Sequence, residues 1–180
     1  MIWLASGSPR RLALLGWAGW EVEAHPADVD ERRRAGEAPV AYARRLAHTK
    51  VATAPAARLA VAADTVVHLD GEVLDKPRDR EEASSHLARL SGGWHEVTTG
   101  WCVRHGHLER LAHATTRVRF RSLSSAEIAA YVATGEADDK AGAYAIQGTG
   151  GVLVAEVQGS WTNVMGLPME EVLAVLEAFA

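Results

Sequence analysis

Ile2-Trp-Leu-Ala-Ser-Gly-Ser-Pro-Arg-Arg11 decides how this 180-residue chain is read. A short apolar run ends in Ser6-Gly7, Ser8 suits a helix N-cap, and Pro9 suits the first helical position. Leu12, Leu15, Gly16 and Gly19 follow at i, i+3, i+4 and i+7, the spacing of one helical face. The segment therefore predicts a strand at 2–6, a Gly turn and a helix over 9–18. Arg10 and Arg11 fall in the first helical turn, where the helix dipole disfavours cations. An anion bound among them and the free backbone N–H groups would explain the pair, and a phosphate chain is the natural candidate. On this reading Arg11 serves phosphate rather than the fold. Its removal should leave stability unchanged or slightly improved.

Alternation continues outward from this unit. Trp20–His25 reads as a strand and 26–38 as a polar, exposed loop. A long helix is predicted over 39–57, and Leu59–Ala63 reads as a strand buried on both faces. Asp70-Gly71 marks a hairpin, and Asp79 caps a helix reaching Leu90. Strands follow near 94–105 and 108–121, then a helix from Ser124 or Ser125 to Thr134. Strands and turns are expected over 142–158, and a final helix has Pro168 at its first position. The sum is an α/β fold: one domain over 1–180, with a twisted mixed β-sheet flanked by helices.

Composition narrows the function classes. The chain is 48% hydrophobic, enough for one sizeable core. Its net charge of −4 argues against a general basic surface for nucleic acid, so a polyphosphate would need a local cluster of cations. No run approaches the ~20 apolar residues of a membrane helix. Cys102 is the single cysteine, with no metal-ligand spacing around it. The run before Arg10 is too short for a secretory leader. These features predict a soluble, cytoplasmic protein. The six Trp read as core and interface residues, and the eight His as surface or packing residues rather than metal ligands.

Several polar residues could carry chemistry. Asp64 closes the apolar run Leu59–Ala63. A carboxylate at the end of a buried strand needs a partner. It could cap a turn, bind Mg²⁺, activate water, or do the last two together. Lys50 shares the apolar stripe of its helix, either snorkelling to solvent or aimed into a site. Pro77 restricts Lys76 to extended backbone. Glu31, with Asp28 and Asp30, offers oxygen ligands from the polar loop. Gln147 has both a donor and an acceptor, which suits the edge of a nucleobase.

Read together and in order, these segments resemble the Maf family of nucleoside triphosphate pyrophosphatases. The likeness rests on Leu4-Ala-Ser-Gly-Ser-Pro-Arg-Arg11, Arg45-Leu-Ala47 with Lys50, Ala63-Asp-Thr-Val66, Lys76-Pro-Arg78 and Leu90-Ser-Gly92. It continues through Asp139-Lys-Ala-Gly-Ala-Tyr144, Ile146-Gln-Gly148, Gly159-Ser160 with Asn163, and Gly166-Leu-Pro168. The resemblance implies a deep nucleotide cleft and hydrolysis of a nucleoside triphosphate to the monophosphate and pyrophosphate. It further implies a divalent cation, Mg²⁺ or Mn²⁺, at Asp64 and Glu31, and a homodimer in the cytoplasm.

The family's proton acceptor falls on Asp64, and its other polar site residues fall on Ser6, Arg11, Glu31, Lys50 and Lys76. Members acting on dTTP and UTP carry Arg, Thr and Gln where Arg10, Thr65 and Gln147 stand. The expected substrates are therefore dTTP and UTP, with modified pyrimidine triphosphates beside them. Two alternatives are a nucleotide-binding regulator of septum formation with little turnover, and a pyrophosphatase for 7-methyl-GTP.

Overall fold

A computed structural model describes residues 1–180. One mixed sheet carries the strands β1 (Ile2–Leu4), β2 (Val22–Ala24), β3 (Ala60–Leu69), β4 (Glu72–Leu74), β5 (Trp94–His105), β6 (Leu108–Phe120) and β7 (Val154–Gln158). Their order is β2-β1-β3-β5-β6-β7, with β4 also on β3. β1 runs parallel to β2 and β3, and every other pairing is antiparallel. The helices are α1 (Pro9–Trp17), α2 (Pro39–Val51), α3 (Arg80–Leu90), α4 (Ser125–Ala133), α5 (Trp161–Met165) and α6 (Met169–Phe179).

β3 departs most from the sequence reading. Asp64 does not end a strand: it lies inside a ten-residue one that continues through Thr65-Val-Val-His-Leu69. The carboxylate interrupts the apolar pattern but not the backbone ladder, because β5 pairs with β3 from Ala60 to His68. The opposite edge of β3 is shared. β1 pairs at Ala60 and Val61, and β4 pairs from Val67 to Leu69. Between them β3 has no neighbouring strand, and Asp64 and Thr65 sit beside that gap. Alternation sends Asp64 to one face of the sheet and Thr65 to the other.

The two faces are covered differently. The large core holds Val61, Ala63, Val67, Trp101, Val103, Val118 and Phe120 against α1, α3, α4 and α6. The opposite face, with Ala60, Ala62 and Cys102, is packed by Ala47 and Val51 of α2. Contact there is close because Gly100 has no side chain. A Cβ at Gly100 would lie 2.3 Å from the carbonyl carbon of Ala43. Gly100 pairs with Asp64 across the ladder, so this close approach seats α2 directly over the acid. Gly100→Ala should destabilise the fold by about 2–3 kcal/mol, since backbone rather than a flexible side chain must move. Urea unfolding checks this; a loss below about 0.5 kcal/mol would mean that α2 slides without cost.

Other boundaries moved for local reasons. α2 stops at Val51, not 57. Thr53 folds back on the Lys50 carbonyl through both N–H and hydroxyl, and Pro55 lacks an N–H to continue the helix. Where strands and turns are expected over 142–158, only β7 is a strand, and it is preceded by short 3₁₀ segments at Ala141–Ala143 and Thr149–Leu153. Trp161–Met165 form the short helix α5, capped by Ser160. Pro168 is the N-cap of α6, one position earlier than expected. Asp70-Gly71 forms the expected hairpin, with both residues at positive φ. Of the six Trp only Trp101 is fully buried, and Trp17 is 70% exposed.

Candidate active site

The gap beside β3 opens into a cleft of about 580 Å³. Nine of the residues named from the sequence line it: Ser6, Arg10 and Arg11 from the β1–α1 segment; Glu31 from the polar loop; Lys50 from α2; Asp64 and Thr65 from β3; Lys76 and Gln147 from two loops. Asp28 and Asp30 do not, and Asp30 pairs with Arg32. Each part of the wall has a local cause. α1 points its N-terminus at the cleft. Ser8 holds the N-cap position without a side-chain cap bond, and the first turn carries no acid. Its backbone N–H groups are thus available to an anion.

On the α2 side, Lys50 joins two carboxylates. Its Nζ lies 2.7 Å from Asp64 Oδ1 and 2.7 Å from Glu31 Oε1. The Lys50 side chain is only 9% exposed, so its head does not reach bulk water as a snorkelling lysine would. No protein group donates to Asp64 Oδ2, which leaves that oxygen for a ligand or a water. Tyr42 anchors the Glu31 loop by donating its hydroxyl to the Glu31 carbonyl at 2.7 Å. Burial, and then the carboxylates of Asp64, Asp75 and Glu31, push the Tyr42 phenol up to about 12, so it remains a donor. Arg45 adds a second anchor through Glu37 and the Arg32 carbonyl.

The Lys50 ammonium fills the point on which Asp64 Oδ1 and Glu31 Oε1 converge, so the expected divalent ion would have to use the remaining carboxylate oxygens, such as Asp64 Oδ2. Glu31 and Asp64 would hold it, and phosphate oxygens and water would complete its shell. No third Asp, Glu, His or Cys groups with them.

The other side of β3 is built around Arg11, and here the sequence expectation is corrected. The guanidinium is buried, and it bonds three separate elements. Nε donates to the Gly166 carbonyl at 2.8 Å, Nη1 to Ser6 Oγ at 3.0 Å and Nη2 to Thr65 Oγ1 at 3.0 Å. Arg11 therefore holds the fold as well as facing the cleft, and its loss cannot be neutral. Arg10 is less enclosed and donates to the Met165 carbonyl. Burial lowers the basicity of both arginines; Asp64 and Glu31 counter this at Arg11, as Asp139 does at Arg10. Both remain cations at neutral pH.

Lys76 and Gln147 stand exposed at the rim, and Gln147 has no side-chain partner within the protein. Asp75, Asp139 and Lys140 also line the cleft, the last two as an ion pair. The sequence motif Asp139–Tyr144 contains the last two without giving them a place in the site. Tyr42 and Gly100 were missed. A glycine inside a twelve-residue strand was the available signal for Gly100, since it marks close backbone approach. Tyr42 gave none.

The Maf-like protein family matches residues 1–179. A protein of Anaeromyxobacter dehalogenans named dTTP/UTP pyrophosphatase is 52% identical over 177 residues, covering 96% of this chain and 91% of that one. One of the same name from Myxococcus xanthus is 51% identical, covering 97% and 90%. Another, from Neisseria meningitidis, is 43% identical, covering 98% and 92%. With the match running from β1 to the end of α6, the chain belongs to the Maf-like protein family.

Proposed function

We propose that this protein hydrolyses dTTP and UTP, with modified pyrimidine triphosphates, to the monophosphate and pyrophosphate. The observation that carries the reading is Asp64. One of its oxygens is fixed by Lys50, and the other faces a cleft that also holds Arg10, Arg11 and Lys76. The name shared by the relatives supplies the substrate pair.

In this mechanism the triphosphate lies with its charge against Arg10, Arg11 and the N-terminus of α1. Cleavage of the α–β bond develops negative charge on phosphate oxygens, and these preorganised cations stabilise it. Asp64 Oδ2 accepts a proton from the attacking water. Lys50 keeps the carboxylate oriented. A divalent cation held by Glu31 and Asp64 would add Lewis-acid polarisation of the phosphate oxygens. The reading extends to a homodimer in the cytoplasm, which light scattering and cell fractionation test; no helix is long and apolar enough to cross a membrane.

Release of pyrophosphate from a panel of nucleoside triphosphates, with Mg²⁺ or Mn²⁺, tests the assignment. Turnover of UTP and dTTP well above that of 7-methyl-GTP is expected. Tight nucleotide binding without turnover would favour the regulator of septum formation instead. Gln147 supplies a finer check. Its free side-chain amide can pair with a donor–acceptor edge such as that of uracil or thymine. Gln147→Glu replaces the NH₂ donor by an acceptor. It should lower kcat/KM for UTP and dTTP at least about tenfold more than for CTP and GTP. An equal loss on all four would make Gln147 a residue of the phosphate site.

A further inference from the structure

A chain of hydroxyls runs inward from Arg11, and its proton order can be fixed. Arg11 Nη2 can only donate, so Thr65 Oγ1 accepts from it at 3.0 Å. Thr65 and Thr99 are direct partners in the β3–β5 ladder, and their hydroxyl oxygens lie 2.9 Å apart. Thr99 Oγ1 also lies 3.0 Å from the Asn163 backbone carbonyl, which can only accept. The single Thr99 proton therefore goes to Asn163, and the hydrogen between the two threonines belongs to Thr65.

Two consequences follow. The Thr65 proton is committed inward, so Thr65 presents a lone pair and not a donor to the cleft. Phosphate oxygens are thereby directed to Arg11. Of that guanidinium's five N–H groups, three are taken by Gly166, Ser6 and Thr65. One N–H on each terminal nitrogen is left for substrate. The orientation of this remaining pair depends on Thr65, and that of Thr65 depends on Thr99.

The far end of the chain is equally determined. Asn163 is fully buried, and its Nδ2 donates to the Val97 carbonyl at 2.9 Å and to Thr116 Oγ1 at 3.0 Å. This pins α5 to β5 and β6, so the carbonyl that receives the Thr99 proton is itself immobile. Thr99 is fully buried and does not line the cleft.

We propose that Thr99 is a positioning residue: it orders the Thr65 hydroxyl and, through it, sets the pair of Arg11 N–H groups that meets the triphosphate. The inference rests on the hydrolase reading above.

The test is a double-mutant cycle on UTP hydrolysis. Thr99→Val keeps the shape but removes the acceptor that orders the Thr65 hydroxyl, and should lower kcat about tenfold. Thr99→Ser keeps the hydroxyl and should recover kcat to within about twofold of the unsubstituted enzyme. In an Arg11→Lys background, Thr99→Val should cost less than about twofold, because the group it acts through has gone. A Thr99→Val enzyme with unchanged kcat overturns the proposal. So does a Thr99→Ser enzyme as slow as Thr99→Val, or a full tenfold loss on top of Arg11→Lys, which would mark Thr99 as merely structural. Neutron diffraction of the unsubstituted protein gives a second reading that no folding defect can obscure. The deuteron between the threonines should ride on Thr65, and finding it on Thr99 overturns the proposal. Absence of any turnover by the unsubstituted enzyme would sink the hydrolase reading, while the neutron result would still decide the proton order.

Discussion

Asp64→Asn is expected to fold and to release pyrophosphate roughly a thousandfold more slowly, the middle of the range for loss of a general base. Asn keeps the shape of the side chain and can still accept from Lys50. It loses both the negative charge and the basicity of Oδ2. The fold should survive because Lys50 retains Glu31 at 2.7 Å, so the buried ammonium is not left unpaired. A change in unfolding free energy below about 2 kcal/mol is expected, and single-turnover kinetics with the folded variant measures the catalytic loss. Near-normal turnover by Asp64→Asn would remove it both as base and as essential metal ligand.

Arg11→Ala should fail on both counts. It removes a buried cation and takes a donor from the Gly166 carbonyl, Ser6 Oγ and Thr65 Oγ1 together, although Ser6 Oγ keeps the Ser8 N–H and Thr65 keeps its bond to Thr99. Each buried acceptor left without a donor costs about 1–3 kcal/mol, and some will recruit water in the space vacated. A net loss of about 3 kcal/mol in stability is therefore expected, visible as a fall of about 6–12 °C in Tm for a chain of this size. Transition-state stabilisation should fall by at least about 2 kcal/mol in kcat/KM. Comparison with Arg10→Ala separates the roles, since Arg10 is less buried and bonds only the Met165 carbonyl. If Arg10→Ala destabilises as much as Arg11→Ala, the three-way anchoring of Arg11 is not what stabilises this corner.

Much of this was legible before any coordinates, and the particular failures are instructive. The strand–turn–helix at 2–17 was readable because apolar run, N-cap residue and N1 proline all point the same way. The Asp70-Gly71 hairpin and the Asp79 and Ser124 caps were readable from single residues with strong local preferences. The sequence ends the strand at Ala63 because the apolar run ends there. In the structure, pairing with β5 carries the backbone through a carboxylate whose charge is matched by Lys50 from another element. That partner is fourteen residues away in sequence, so no window of a few residues could reveal it. Arg11 was misjudged for the same reason. Its dipole clash is a local property, but two of its three acceptors, Gly166 and Thr65, come from distant parts of the chain.

The split duties of β3 also constrain how such a chain can change length. Asp64 and Thr65 are adjacent, yet each must face its own side of the sheet. A deletion or insertion of one residue ahead of them, with the downstream pairing kept, would leave both in place and shift only the β1 contacts. The same change between Asp64 and Val67 would break the match of nine successive β3–β5 pairs, or else rotate the acid toward the arginine side and the threonine toward α2. Tolerance to single-residue indels should therefore be sharply asymmetric along one strand: lower from Asp64 to Val67 than in the Pro55–Arg58 turn that feeds it. A library scanning such changes across residues 55–69 would display the site's two-faced construction as a step in survival.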